Sequence, residues 1–428
     1  MLKRLRLENF KNFKSAELSL GNFTVLVGTN ASGKSNLRDA FRFLHGLSRG
    51  YSLADIFGEK YGEGGDLQWQ GIRGGTREAS FNGSTSFALE VTIALPQWTP
   101  SAEAQYRIEV ETYNLRARPR VIRESLYEKG RMLFDSDPHD DPIDQRDEEN
   151  IIVRLAKSGR NKKHGKTLQL TSGQPALTQV ASRKTARGGI GVFLEEAVLE
   201  TLSSMRFLDL EPNRMRIPSL PGQTVLRDRG ENLSSVLQAI CENPDRKRAL
   251  TGWVEALTPL DAVDFKFPQD QTGKILVSLV EGNGTEISAY SASDGTLRFL
   301  AMLAALMGPQ AARFYFFEEL ENGIHPTRLY LLTQLIEQRS AKHGIQVVAS
   351  THSPQMLAML EQSSIENASL VYRLPGRANA QIKRIMDIPD ARRLIEEKKL
   401  ARLMESGWLE TAAYFTEPEE TPSEGQRQ

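Results

Sequence analysis

The chain has 428 residues, 54 basic and 54 acidic side chains, and apolar and charged fractions of 39% and 25%. These values exclude a chain that is disordered as a whole, and they exclude a net field that would draw the entire protein to nucleic acid or to an anionic membrane. The apolar windows are too short to span a bilayer, the start lacks a signal-peptide core, and the single cysteine, Cys241, cannot form an internal disulfide, so we predict a cytoplasmic protein.

The N-terminal segment predicts strands followed by a helix. Residues 2–28 alternate between apolar and polar side chains and end in a nearly all-apolar strand at Gly28. Leu37, Phe41 and Leu44 then recur at helical spacing, which predicts a helix that begins just after Gly33. Strand, glycine-bearing loop and helix therefore follow one another directly.

The middle of the chain is less regular. Residues 58–85 are rich in glycine and charge and predict an irregular loop region, whereas segments at 87–95, 106–113 and 121–129 alternate like antiparallel strands. An acidic run at 135–149 precedes a basic run at 154–187, which suggests an insertion. The basic run either contacts nucleic-acid phosphates or forms a solvated loop that the acidic run neutralises. Its basic residues are Arg154, Lys157, Arg160, Lys162, Lys163, Lys166, Arg183, Lys184 and Arg187.

The C-terminal part alternates helix and strand. A helical region begins near Asn232, and from residue 293 onward helix, strand, helix and strand follow in turn. This rhythm predicts a parallel sheet with crossover helices. The stretch at 415–428 has the composition of a disordered tail.

The sequence GTNASGKS, Gly28 to Ser35, matches a phosphate-binding loop in the required position between a strand and a helix. Glycines allow backbone amides to turn toward an anion, and the helix N-terminus adds its dipole. Lys34 can reach β- and γ-phosphates and Ser35 can ligate Mg²⁺. The alternative is a glycine-rich turn without a ligand.

A second strand, FYFF, runs directly into adjacent carboxylates. At the end of a buried strand beside a phosphate loop, Glu318 would hold Mg²⁺ through its water shell and Glu319 would orient or deprotonate the attacking water. Without the loop, the same residues would form a solvated acidic strand end. A third apolar strand ends at His352, which is either structural or a hydrogen-bond donor to a γ-phosphate. Ser293, Asp294 and Gly295 open a very apolar helix, where they either cap it or direct its N-terminus at a phosphate.

This set of residues resembles the ABC-type ATPase heads of the SMC, RecF and OLD-like group, also described as AAA family ATPases. The resemblance covers about the first 60 and the last 200 residues. GTNASGKSN stands as the Walker A motif, SDGT as the signature, FYFFEELENGIHP as the Walker B strand with the D-loop, and STHSP as the segment with the switch histidine. The form of the signature is closer to a defence branch of the group than to transporters.

The resemblance implies an α/β fold: an ABC-type P-loop NTPase head with a mixed sheet, an antiparallel β subdomain and a helical lobe that carries the signature. We predict an N-terminal ATPase lobe at 1–130, a charged insertion at 131–205, a helical and strand lobe at 206–292, a C-terminal ATPase lobe at 293–414 and the tail at 415–428. No long coiled coil is expected, and the residues after Pro354 are too few for a TOPRIM nuclease domain.

The resemblance also implies ATP and Mg²⁺ as cofactors and a head-to-tail dimer, in which ATP on one copy is covered by Ser293 and Gly295 of the other. Ser35 and Glu318 are the predicted metal ligands, and Glu319 and His352 the predicted catalytic residues. The predicted nucleotide-binding residues are Gly28, Asn30, Ala31, Ser32, Gly33, Lys34, Ser35, Asn36, Ser293 and Gly295.

Three features depart from the family pattern. Glu318 stands where Asp is usual, which predicts slow turnover. Leu320 replaces the usual proline, and no glutamine is clearly placed to contact Mg²⁺, with Gln68 and Gln70 as candidates.

The predicted function is an ATPase whose cycle controls a DNA-related process or a separate effector such as a nuclease, as in phage defence. A RecF-like DNA-repair clamp is the alternative. A transporter subunit and a scaffold that binds ATP without hydrolysing it are further alternatives. No membrane partner is expected.

Overall fold

The structure is a computed structural model that describes residues 1–65, 67–96, 102–112, 118–137, 148–156, 165–185, 194–257, 262–374 and 376–389, together with residues 391 and 393. Its strands are β1 (Leu2–Phe10), β2 (Phe13–Ser19), β3 (Phe23–Val27), β4 (Lys60–Tyr61), β5 (Leu67–Trp69), β6 (Ser86–Ala94), β7 (Glu103–Glu111), β8 (Arg120–Glu128), β9 (Arg131–Asp135), β10 (Asn150–Leu155), β11 (Thr167–Thr171), β12 (Met205–Leu208), β13 (Ala262–Lys266), β14 (Ser278–Glu281), β15 (Glu286–Ser288), β16 (Phe314–Phe317), β17 (Gln346–Thr351), β18 (Ser369–Arg373) and β19 (Ala380–Arg384). Its helices are α1 (Lys34–Ser48), α2 (Leu53–Phe57), α3 (Ala176–Thr185), α4 (Leu194–Ser203), α5 (Pro212–Met215), α6 (Leu233–Cys241), α7 (Pro244–Leu257), α8 (Asp294–Met307), α9 (Pro326–His343) and α10 (Gln362–Ile365).

An antiparallel sheet forms the N-terminal half, with its eight strands in the order β11-β10-β9-β8-β7-β6-β1-β2. This confirms the antiparallel strands predicted at 87–95, 106–113 and 121–129. The predicted boundary between residues 130 and 131 falls in a turn of this sheet, because Glu128 of β8 pairs with Arg131 of β9. Strands β9, β10 and β11 therefore continue the sheet into the segment predicted as an insertion, and the division into domains stays a prediction.

A mostly parallel sheet forms the second layer, in the order β12-β16-β17-β3-β18-β19. Strands β12, β16, β17, β3 and β18 run parallel to their neighbours, and β19 closes the edge antiparallel to β18. Helix α9 is the crossover between β16 and β17. The parallel sheet predicted from the alternation of helix and strand is confirmed. Its central strand β17, which ends next to His352, lies between the strand before the phosphate loop and the strand before Glu318.

The parallel sheet separates two hydrophobic cores, which explains why all four positions of β16 carry buried aromatic side chains. Side chains alternate between the faces of a strand. In β16, Phe314 and Phe316 therefore enter the core shared with α1, whereas Tyr315 and Phe317 enter the core shared with α6, α7 and α8. A strand buried on both faces needs apolar side chains at every position. None of the helices in the described ranges is long and apolar enough to cross a membrane.

One buried carboxylate connects the antiparallel sheet to helix α3. The Glu124 side chain of β8 is 1% exposed and accepts hydrogen bonds from the Ala176 and Leu177 amides at the start of α3, at 2.6 and 2.7 Å. The hydroxyl of Tyr106 donates to the same carboxylate at 2.9 Å. Burial raises the pKa of Glu124 to about 7, and these hydrogen bonds oppose that shift only in part. The Glu124 carboxyl group thus links α3 to β8 by hydrogen bonds, and its protonation state changes near neutral pH.

We expect Glu124 to make folding stability fall with rising pH. Because the native pKa of about 7 exceeds the ordinary value of 4.5, the folded state holds the proton over a range in which the unfolded state has lost it. Between pH 5 and pH 8 this group should remove about 2 to 3 kcal/mol of unfolding free energy. The measurement is denaturant unfolding of the wild type and of Glu124→Gln at both pH values, because the difference between them isolates this group. A difference that does not change with pH would contradict the prediction.

Candidate functional site

The phosphate loop joins β3 to α1 as predicted, and its backbone requires small residues. Gly33 has a φ of 121°, a conformation that side chains disfavour, and a Cβ on Gly28 would lie 2.1 Å from the carbonyl oxygen of Val371. Ala31 also has a positive φ, of 61°. The hydroxyl of Ser32 is buried without a hydrogen-bond partner in the described part of the chain. A loop that turns amides inward and leaves a buried hydroxyl unsatisfied suits an anionic ligand.

Lys34 is the first residue of α1 and is only 5% exposed. Its ammonium donates to the carbonyl oxygens of Gly28 and Thr29 at 2.6 and 2.8 Å. Burial lowers the pKa of Lys34 to about 8, although the nearby carboxylates of Glu321, Glu319 and Glu318 act in the opposite direction. The amine is thus held inside the loop, where a phosphate would favour its charged form.

Ser35 and Glu318 meet at the position predicted for the metal. The Ser35 hydroxyl donates to Glu318 Oε1 at 2.5 Å, which brings together residues from α1 and from the end of β16. A hydroxyl and a carboxylate beside a phosphate site are the oxygen ligands that Mg²⁺ takes, together with phosphate oxygens and water. The residues therefore fit the ion. Arg38 of α1 donates to the other oxygen of Glu318 at 2.7 Å, a contact that sequence reasoning did not anticipate.

Glu319 lies one residue beyond Glu318 in a strained backbone conformation. Its φ is 49°, which is uncommon for a residue other than glycine and often marks functional sites. Its amide donates to the hydroxyl of Ser350 at 3.1 Å. The next residue, Leu320, is fully buried, and its amide donates to the Ser350 carbonyl at 3.1 Å, a bond that the usual proline could not make. Leucine at this position thus fixes the turn that presents Glu319.

His352 connects the two sides of the site. Its Nδ1 lies 3.0 Å from the carbonyl oxygen of Gly28 and 3.2 Å from Lys34 Nζ, while its Nε2 lies 3.5 Å from Glu319 Oε1. The backbone amide of His352 donates to Glu321 at 2.7 Å. The three strand ends that the sequence singled out are therefore in contact, as parallel strands with a common carboxyl edge require.

These residues surround a cavity of about 410 Å³. The predicted residues that line it are Asn30, Ala31, Ser32, Gly33, Lys34, Ser35, Asn36, Glu318, Glu319 and His352. Gly28 lies behind the lining, in contact with Lys34 and His352. A volume of this size accommodates a nucleotide-sized ligand.

Sequence reasoning missed four residues that also line this cavity: Asn12, Arg73, Ser350 and Arg373. Asn12 accepts a hydrogen bond from Asn36 at 2.7 Å, and Arg73 pairs with Asp39 of α1 at 3.0 Å. Arg73 stands in the sequence GIRGG of the irregular region, which has no periodicity that predicts its position. The candidate glutamines Gln68 and Gln70 do not line this cavity but a second one.

The signature residues lie at the N-terminus of α8, away from the lining of the cavity in the same copy. Ser293 caps the helix, because its hydroxyl accepts a bond from the Thr296 amide at 3.1 Å. Asp294 turns away to Arg216, at 2.7 Å. A Cβ on Gly295 would lie 2.2 Å from the Gly323 carbonyl oxygen, so glycine allows α8 to approach the D-loop. The cap interpretation of Ser293 is confirmed, while its role toward a nucleotide stays a prediction.

The basic run lies largely outside the described residues. Lys157, Arg160, Lys162, Lys163 and Arg187 fall in segments that the structure does not describe, as does the tail at 415–428. Arg154, Lys166 and Arg183, with the backbone of Lys184, belong to the region of β10, β11 and α3 at the edge of the antiparallel sheet. The DNA-clamp hypothesis is therefore untested by this geometry.

Comparison with known proteins gives matches to SMC proteins. Structural maintenance of chromosomes protein 1 of Arabidopsis thaliana is 45% identical over 59 residues, which cover 12% of this chain and 5% of that protein. The chain thus spans a small part of this relative's length. An SMC head crystallised with the C-terminal winged-helix domain of ScpA has 13% identity and a TM-score of 0.48, with coverage of 89% of this chain and 97% of that chain. An SMC head with an extended coiled coil from Pyrococcus furiosus has 12% identity and a TM-score of 0.48, with coverage of 93% of this chain and 99% of that chain.

A family model covers most of the chain. It is described as "AAA domain, putative AbiEii toxin, Type IV TA system" and matches residues 23–358, from the strand before the phosphate loop to beyond His352. The match includes the Walker A, signature, Walker B and switch-histidine segments in one domain. The chain therefore belongs to this AAA-domain family, as the resemblance to ABC-type ATPase heads led us to expect.

Proposed function

We propose that the chain binds ATP with Mg²⁺ in the 410 Å³ cavity and hydrolyses it. The observation that carries this proposal is the contact of His352 with both Lys34 and Glu319, because it joins the three strand ends around one cavity. Lys34 would bind the β- and γ-phosphates, and His352 would donate to the γ-phosphate. Glu319 would accept the proton of the attacking water.

Ser35 and Glu318 are the residues that would hold Mg²⁺ in this proposal. When bound, the ion supplies charge neutralisation for the triphosphate. The protein's own contribution is to place a hydroxyl and a carboxylate within hydrogen-bond distance of each other before the ion arrives. The extra methylene of Glu318 and its contact with Arg38 favour slow turnover.

We further propose that two copies enclose ATP between them. Ser293 is exposed at the N-terminus of the 14-residue helix α8, and it does not line the cavity of its own copy. A helix N-terminus with its dipole and exposed backbone is suited to a phosphate that another molecule presents. Asp294 does not oppose this, because Arg216 pairs with its carboxylate.

A matched pair of substitutions at Ser293 tests the dimer. Asn and Asp both replace serine well as N-caps, so Ser293→Asn and Ser293→Asp keep α8 intact while only Asp adds a negative charge. In a Glu319→Gln background with ATP and Mg²⁺, we expect Ser293→Asn to double its mass and Ser293→Asp to remain a monomer, because its carboxylate repels the γ-phosphate. Light scattering measures the mass.

The same experiment contains its controls. Both variants should still bind ATP in the cavity of their own copy, since Ser293 lies outside that cavity. If neither variant nor the Glu319→Gln parent changes mass with ATP, the enclosed-ATP dimer is wrong while ATP binding itself is unaffected. Equal dimerisation of both Ser293 variants would place the interface elsewhere.

At the level of the cell, we propose that the ATP cycle controls a separate effector, such as a nuclease, in phage defence. The family description, which refers to a toxin–antitoxin system, supports a role in such a two-component arrangement. A DNA-repair clamp is the alternative. Binding of labelled duplex that weakens steeply between two salt concentrations would favour the clamp, because phosphate contacts release counterions.

A further inference from the structure

A second cavity, of about 430 Å³, lies beside the candidate nucleotide site. Arg38, which contacts Glu318, lines it. Arginines outnumber carboxylates two to one in the lining, and we call it the arginine cavity. Its arginines are Arg38, Arg42, Arg49, Arg206, Arg214 and Arg229, and its carboxylates are Asp209, Asp228 and Glu231.

Helix α1 and the residue that directly follows it supply half of these arginines from one face. Arg38, Arg42 and Arg49 are separated by four and seven residues, spacings that place side chains on the same side of a helix. Arg206 of β12 joins them in the lining of the cavity. The neighbouring His45 of α1 adds no positive charge, because burial lowers its pKa to about 4. The positive charge of the cavity therefore comes from guanidinium groups.

Several of these guanidinium groups have unused hydrogen-bonding capacity. The Nε atoms of Arg38, Arg42 and Arg206 are buried without a partner in the described residues. Within the same ranges, Arg42, Arg49 and Arg206 have no carboxylate oxygen within 4.0 Å, and Asp228 attracts Arg42 and Arg206 only from a greater distance. A buried donor without an acceptor destabilises the protein. Three such donors around one cavity indicate that a ligand with several acceptor oxygens completes it.

The position of Arg42 is fixed before any ligand binds. Its guanidinium lies 5.0 Å from the ring centre of Trp69 and 5.9 Å from that of Phe207, and it donates to the carbonyl oxygen of Gln70 at 2.5 Å. A guanidinium held between two aromatic rings loses little further freedom on binding an anion. The preorganised group favours a planar or tetrahedral oxyanion that accepts two parallel hydrogen bonds.

We propose that the arginine cavity binds the terminal phosphate group of a nucleotide or of a short nucleic-acid strand. A phosphate monoester supplies up to two negative charges and several acceptor oxygens, which match the excess of arginines and their free Nε donors. The cavity has nearly the volume of the nucleotide site, 430 against 410 Å³, so it suits one nucleotide unit. This site is additional to the proposed ATPase centre and does not depend on it.

Binding to the Lys34→Ala variant tests the proposal, because that variant removes competition from the phosphate loop. The probes are adenosine monophosphate, adenosine, a tetranucleotide with a 5′-phosphate and the same tetranucleotide with a 5′-hydroxyl, each titrated by calorimetry. We expect binding that requires the phosphate and that weakens at least about tenfold in Arg206→Gln and in Arg49→Gln. Arg248→Gln, an exposed arginine of α7, is the control and should not change the affinity.

The outcomes are distinguishable from those of the ATPase proposal. Binding of the mononucleotide identifies a free nucleotide as the ligand, and binding of the phosphorylated tetranucleotide alone identifies a strand end. Equal binding of the hydroxyl and phosphate forms would overturn the inference. So would no binding of any probe, or affinity unchanged in both Arg206→Gln and Arg49→Gln. Arg49 is exposed, so its substitution serves as a second variant if Arg206→Gln is poorly folded.

Discussion

Lys34→Ala is expected to weaken ATP binding by at least about 100-fold. The ammonium is buried, it is held by the carbonyls of Gly28 and Thr29, and it is the only lysine that lines the described cavity. Its removal leaves the triphosphate without its charge-assisted donor in a site where water cannot fully replace it. Equilibrium dialysis with ATP and Mg²⁺ measures the loss.

Lys14→Ala is the control for this experiment, because Lys14 is exposed on β2. Circular dichroism should show the same helix and strand content for both variants and for the wild type. If Lys34→Ala retained ATP with the affinity of the wild type, the phosphate loop would not be the nucleotide site.

Glu319→Gln is expected to keep ATP binding and to lower hydrolysis by about 100-fold or more. The carboxylate lies at the edge of the cavity, 3.5 Å from His352, and the amide of glutamine has nearly the same shape but cannot accept the proton of water. The backbone turn should survive, because it depends on amides that donate to Ser350. Phosphate release at saturating ATP measures the rate.

Glu255→Gln, an exposed glutamate of α7, provides the matched control and should hydrolyse ATP at the rate of the wild type. Equal and negligible rates in the wild type and in Glu319→Gln would favour a scaffold that binds ATP without hydrolysing it. A normal rate in Glu319→Gln would assign the base to another residue.

The strand ends of this site were predictable from the sequence because a short continuous stretch of residues identifies each of them. A mostly apolar run followed at once by GTNASGKS, by EE or by THS identifies a buried strand and the side chains at its end. Parallel strands place these ends along one edge, so the contact between His352, Lys34 and Glu319 follows from three separate patterns.

The remaining lining residues depend on tertiary contacts that no local pattern records. Asn12 lies in the turn between β1 and β2, and Arg73 lies in an irregular segment, so neither has a periodicity that predicts its position. The continuation of the antiparallel sheet by β9, β10 and β11 was not predicted, for a related reason. Charged runs separate these short strands in the sequence, and the runs suggested an insertion. In the structure, the same strands extend the edge of the antiparallel sheet.

The ion pair between Arg38 and Glu318 has a consequence for the order of assembly. The carboxylate is already neutralised by a permanent cation, so a metal that comes to it must displace or share a guanidinium. Mg²⁺ and nucleotide should then bind together, because the phosphates supply the negative charge that stabilises a second cation beside Arg38. The bare protein would accordingly show little affinity for free Mg²⁺.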